Sequence, residues 1–146
     1  MSRGSIKAIA GALAAVAVLA YLYDPPWIGG VTSGMREWEY PPPPNHVFRW
    51  TTGRASLFIP SDATAVMIPL RSEIPEPDGK PVTVEIRVDG RFLATITLKD
   101  PQSWVRHELP LGNRPTHRRF RRIDLRVSRV FGWRMLGVMT GPPTIW

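Results

Sequence analysis

The sequence predicts an all-β sandwich of jelly-roll type, preceded by one N-terminal transmembrane helix. Three observations lead there. An uncharged apolar run opens the chain, and short alternating runs separated by turn residues fill the remainder. Sixteen prolines and twelve glycines leave little room for a second long helix. The 146 residues allow one domain of ordinary size, and a hydrophobic share of 43% is enough to pack it. Three segments are expected: a membrane helix over 1–23, a Pro/Gly-rich linker over 24–45 and the sandwich over 46–146.

The helix is read from AIAGALAAVAVLAYLY, Ala8 to Tyr23, with Arg3 and Lys7 before it and no basic residue after it until Arg36. Positive charge on the amino side only keeps that end in the cytoplasm and sends the rest across. The predicted location is therefore the cytoplasmic (inner) membrane, single-pass, with the body outside. Sixteen helical residues span ~24 Å, short of a ~30 Å hydrocarbon core unless Ile6 joins and Lys7 snorkels. A cleaved signal peptide accounts for nearly the same features, because Val18-Leu19-Ala20 offers small residues where a signal peptidase reads. Both readings export the body.

In the linker, Pro41 to Pro44 predict a stiff polyproline II spacer about 12 Å long at ~3.1 Å per residue. Strand-like runs follow: His46–Trp50, Ser56–Ile59, Ala65–Leu70, Val82–Val88, Phe92–Leu98, Trp104–Leu109, Ile123–Phe131 and Leu136–Met139. Val82, Val84, Ile86 and Val88 share one face of their run, as Ile123, Leu125 and Val127 share one face of theirs. Asp89-Gly90 marks a hairpin. Its apolar faces match if Ile86 lies opposite Phe92, Val84 opposite Ala94 and Val82 opposite Ile96, which requires a three-residue loop or a bulge of the same effect. Eight such strands suit a jelly roll or a related sandwich.

The stretch VTVEIRVDGRFLATITL, then Trp104 and LPL, then RRIDLRVSRVF and GWRMLGVM, resembles the galactose-binding-like β-sandwiches of bacterial exported, envelope-glycan-associated membrane proteins. Arg134, Leu136, Gly137 and Val138 match the closing Arg-x-Leu-Gly-Val segment of that pattern, while Gly132 and Trp133 stand where it usually has an acid. The resemblance covers roughly 48–146 and implies a fold. That architecture hosts sugar binders, protein binders and plain spacers alike.

Chemistry is sparse. Cysteine is absent, which excludes disulfides, thiolate metal sites and a cysteine nucleophile. His46, His107 and His117 fall in separate segments without metal-ligand spacing, and no hydrolase, phosphate-loop or calcium-loop motif occurs. No metal, no cofactor and no enzymatic activity are expected. Glu37 and Glu39 would share a face of an extended strand, but adjacent carboxylates beside a proline rod do not flank a bond from opposite sides. Trp133, in the Gly132-Trp133-Arg134 loop, is the predicted ligand-stacking residue with Arg134 as its polar neighbour. Trp50 and Trp104 read as core.

The formal charge of +7 concentrates around Arg114, His117, Arg118, Arg119, Arg121 and Arg122. Export removes nucleic acid as a partner, so Arg118, Arg119, Arg121 and Arg122 are read as a patch for an anionic envelope polymer, lipid headgroups or an acidic protein surface. The functional expectation is a membrane-anchored, non-catalytic sandwich that binds or positions envelope glycan. The alternative is an accessory subunit that docks onto a larger membrane complex and binds no sugar.

Overall fold

The computed structural model describes residues 3–74, 79–101, 103–112 and 117–146. Alanine, leucine and valine dominate helix α1 (Arg3–Tyr23), whose 21 residues reach ~31 Å at ~1.5 Å per residue. It is longer than the uncharged run because the helix begins at Arg3 and takes in Ile6 and Lys7. Its residues from Gly4 onward are exposed in the isolated chain, with a mean hydropathy of 1.9. By length and composition it can cross a membrane.

Behind it the protein is mostly β, and every strand pair is antiparallel. The strands are β1 (Thr32–Met35), β2 (Arg49–Pro60), β3 (Ala65–Met67), β4 (Leu70–Arg71), β5 (Val82–Val88), β6 (Arg91–Leu98), β7 (Glu108–Pro110), β8 (Phe120–Val127), β9 (Met139–Thr140) and β10 (Thr144–Ile145). A seven-stranded sheet runs β4-β9-β2-β8-β5-β6, with β1 also paired to β2, and a three-stranded sheet runs β10-β3-β7. Their apolar faces share one core, in which Ile59, Ile86, Ile123 and Leu125 of the large sheet join Val66 and Leu109 of the small one. Each such side chain contributes roughly 1.5–3 kcal/mol through burial. Two curled antiparallel sheets about one core fit a β-sandwich.

The alternation in VTVEIRV is realised without exception: Val82, Val84, Ile86 and Val88 are buried and the residues between them are half-buried. The hairpin differs in register from the expectation. Asp89 and Gly90 form a two-residue turn, so Val88 faces Arg91 and Arg87 faces Phe92. A bulge then sets Ile86 opposite Ala94, Val84 opposite Ile96 and Val82 opposite Leu98. The apolar faces match, but each partner lies two residues beyond the expected one, and Phe92 is left exposed.

Other boundaries also move. The expected runs His46–Trp50 and Ser56–Ile59 are joined in the single strand β2, because Thr51 to Ala55 pair with neighbours instead of turning. The expected linker contributes a 3-10 turn (Ile28–Gly30) and strand β1. Pro41 to Pro44 do not form a rod: Pro43–Pro44 is a cis peptide, and Asn45 closes a turn by donating its backbone and side-chain N–H groups to the Pro42 carbonyl.

The join between helix and body is built from polar groups. The Asp24 carboxylate accepts the Arg119 backbone N–H at 3.0 and 3.2 Å, and the Arg119 Nε lies 3.5 Å from Asp24 Oδ2. The Arg118 guanidinium stands 4.6 Å from the centre of the Tyr23 ring. The start of β8 is thus the end of the body next to α1, and the turn that follows β8 is the far end.

Candidate functional site

A cleft opens at the edge of the large sheet where β2 begins. Glu39 and Phe48 exchange backbone hydrogen bonds across the proline turn, which brings Pro41, Pro44, Asn45 and His46 over β4 and β9. From the other side, Val105 pairs with Leu70 and sets Trp104 against His46, ring centroids 6.4 Å apart and planes at 89°. Two adjoining hollows of about 360 and 210 Å³ share this pair as a common wall. Phe48 and Met139 line the larger one, and Pro69, Arg106 and Pro142 line the smaller.

The polar groups of the larger hollow are few and placed. Arg71 Nη2 donates to Glu73 Oε1 at 2.7 Å while its Nε donates to the Pro101 carbonyl at 3.2 Å, so the guanidinium plane is held from two sides. Asn45 spends its amide N–H on Pro42, which leaves its Oδ1 as an acceptor. Of the sequence-predicted residues, none lines this cleft, while Trp104 and His46 do.

Trp133 sits on the turn closed by the Phe131 and Leu136 backbone pair and is 87% exposed. The Arg134 guanidinium lies 4.9 Å from its ring centre, and the Arg134 carbonyl accepts Arg36 Nη2 at 2.7 Å. The expected basic patch is divided by the alternation of β8. Arg122 points outward and pairs with Asp124 at 2.7 Å, whereas Arg121 is buried and pairs with Asp89 at 3.1 Å. Buried and paired, Arg121 has no exposed surface to offer an anionic polymer. Arg118 and Arg119 are taken up at the α1 junction. Arg114 lies outside the described residues.

No family model matches the chain, and no curated protein does. Among solved structures the chain is similar to a glycoside hydrolase family 43 arabinoxylan arabinofuranohydrolase from Bacillus subtilis in complex with cellotetraose, at 11% identity and a TM-score of 0.41. The match covers 79% of this chain and 24% of that one, so this chain spans about a quarter of that enzyme's length.

Glu37 and Glu39 are both exposed, and among the described residues no three His, Asp or Glu side chains gather as a metal set. An aromatic wall with a few convergent hydrogen-bonding groups is what a sugar ring needs: the π face meets the apolar C–H face, and the polar groups fix the hydroxyls. A carboxyl held below its ordinary range, that of Glu85, lies elsewhere, on the outer face of the large sheet. There the Arg87 hydrogen bond at 2.5 Å, with the nearby charges of Arg87 and Arg126, favours ionised Glu85 against the opposing effect of desolvation.

Proposed function

We propose that this chain is a single-pass protein of the cytoplasmic membrane whose galactose-binding-like, jelly-roll body lies on the outer side and holds an envelope glycan without cleaving it. The carrying observation is the His46–Trp104 wall between two hollows, with Arg71, Glu73 and Asn45 placed to bind hydroxyls. The exposed apolar helix, with positive charge at its amino end alone, supports the tether. Recognition by ring faces and neutral hydroxyls should depend little on salt.

The test uses the full chain in a polyoxyethylene detergent, which carries neither sugar nor phosphate, titrated with neutral oligosaccharides while tryptophan fluorescence is followed. Trp104→Ala should weaken binding by ~1–3 kcal/mol, the scale of burying a large apolar side chain. His46→Ala, at an exposed position, guards against a folding artefact and should weaken it less. Binding that is unchanged in both variants would refute the cleft.

One observation favours the rival reading, a docking subunit. Phe131, Trp133 and Met135 are all exposed on one turn at the end of the body far from α1. Apolar side chains gathered in this way mark protein contacts. On that reading Trp133→Ala abolishes co-purification with a membrane complex and leaves glycan binding untouched.

A further inference from the structure

The outer face of the large sheet holds a second polar site, away from the cleft. β1, β2 and β8 lie side by side there, and their registers stack outward-facing residues in rows. In one row Ser33, Ser56 and Asp124 are neighbours; in the next, Arg54 lies directly opposite Arg126. Arg122, four residues before Arg126 and on the same face, closes the group ~13 Å along the strand at ~3.3 Å per residue. A slot of about 180 Å³ opens between them.

The charge arrangement of this slot favours an anion. Like charges directly opposite on adjacent strands destabilise a sheet, and Arg54 faces Arg126 in that way. Neither forms an ion pair within 4 Å with another described residue; Glu85, opposite Arg126 on β5, offsets part of the Arg126 charge but is hydrogen-bonded to Arg87. Asp124 does not relieve them, because its carboxylate is engaged by the Arg122 Nε at 2.7 Å, an arrangement that also fixes the Arg122 fork. Three arginines against one aspartate leave the lining at a net charge of +2. Ser56, buried as a residue, and Ser33 add hydroxyl donors.

We propose that this slot binds a phosphate-class oxyanion. Guanidinium forks approaching from two strands, with hydroxyls from a third side, suit a tetrahedral oxyanion better than a planar carboxylate, and the net positive lining accommodates either a phosphate dianion or a phosphodiester monoanion. The source is either free phosphate or a phosphodiester of the envelope, and the proposal is independent of the glycan cleft.

The experiment is a two-dimensional amide NMR titration of the full chain in polyoxyethylene detergent. One arm adds inorganic phosphate, a second adds glycerophosphoglycerol as a soluble phosphodiester, and a third adds sodium chloride at matched ionic strength. We expect saturable shifts at residues 33, 54, 56, 124 and 126 in at least one phosphate arm. Arg54→Gln and Arg126→Gln should each weaken binding tenfold or more, while His46→Ala leaves it unchanged. The arm with the tighter binding assigns the source. Phosphate should also raise the Tm of the native chain and not that of Arg126→Gln. If a glutamine variant fails to fold, Arg54→Lys keeps the charge without the fork and should weaken binding by a smaller factor. Equal shifts in the chloride arm, or affinities unmoved by both glutamine variants, would overturn the proposal.

Discussion

Arg121 is 4% exposed on the core side of β8, where a guanidinium persists only if it is paired and hydrogen-bonded. Its Nε donates to Asp89 Oδ2, and its Nη1 donates to the carbonyls of Leu111 and Gly112 at 3.3 and 3.4 Å. Asp89 also accepts the Arg122 backbone N–H at 2.9 Å, so one carboxylate ties the β5–β6 turn to β8. Asp89→Asn keeps a residue that tolerates the left-handed backbone there but removes the charge. It should cost ~1–3 kcal/mol: Asp89 is 44% exposed, which tempers the loss, and two carbonyls still hold the guanidinium. Arg121→Met removes the buried charge together with its desolvation penalty and should cost less than Asp89→Asn. Urea unfolding of both variants checks the order, and a larger loss in Arg121→Met would contradict it. The inward position of Arg121 was legible: the alternation that buries Ile123 and Leu125 buries the residue two before Ile123 as well. Four arginines within residues 118–122 masked it by reading as one solvated patch. Trp104 was not legible as a site residue, because the turn at 43–45, β4 and β9 that meet it are distant in sequence.

At the scale of elements, parity was written in the sequence and pairing partners were not. The β5–β6 hairpin shows why: alternation decides which face a side chain takes, but a single bulge shifts every partner beyond it. Strand β1 leaves no mark in the sequence because Thr-Ser-Gly-Met is short and its first two residues are exposed, so it shows no apolar alternation. Its bend is made at Gly34, which has φ +64° and marks the register shift between Ser33 and Met35. A Cβ built there would stand 1.9 Å from the Arg54 carbonyl oxygen, a backbone atom with no room to retreat. Gly34→Ala therefore combines a strained dihedral with a clash and should destabilise by ~2–4 kcal/mol. Gly90→Ala offers the control. Its φ is +77°, but nothing lies within 4 Å of the added Cβ, so it should cost only ~1 kcal/mol. Thermal unfolding of the two variants separates packing from backbone strain, and equal losses would show that β1 yields without cost.

For the whole molecule, the decisive question is whether α1 stays. The helix is one continuous 21-residue element, ~31 Å long and able to match a ~30 Å hydrocarbon core. Tyr21, Tyr23 and Trp27 gather at its carboxyl end, where aromatic rings favour a membrane interface. The body grips that same end: Asp24 is held by Arg119, and Tyr23 lies under Arg118. Cleavage after Ala20 would leave Tyr21 to Asp24 and these contacts in place, so the junction itself does not decide between anchor and signal peptide. Length does favour the anchor, since a signal-peptide core is typically 7–15 apolar residues and the uncharged run here has sixteen. The retained chain should fractionate with membranes, resist extraction by alkaline carbonate and yield N-terminal peptides that include residues before Tyr21. A mature chain beginning at Tyr21, released by the wash, would remove the tether. It would leave the cleft and the arginine slot in place, because neither draws a residue from α1.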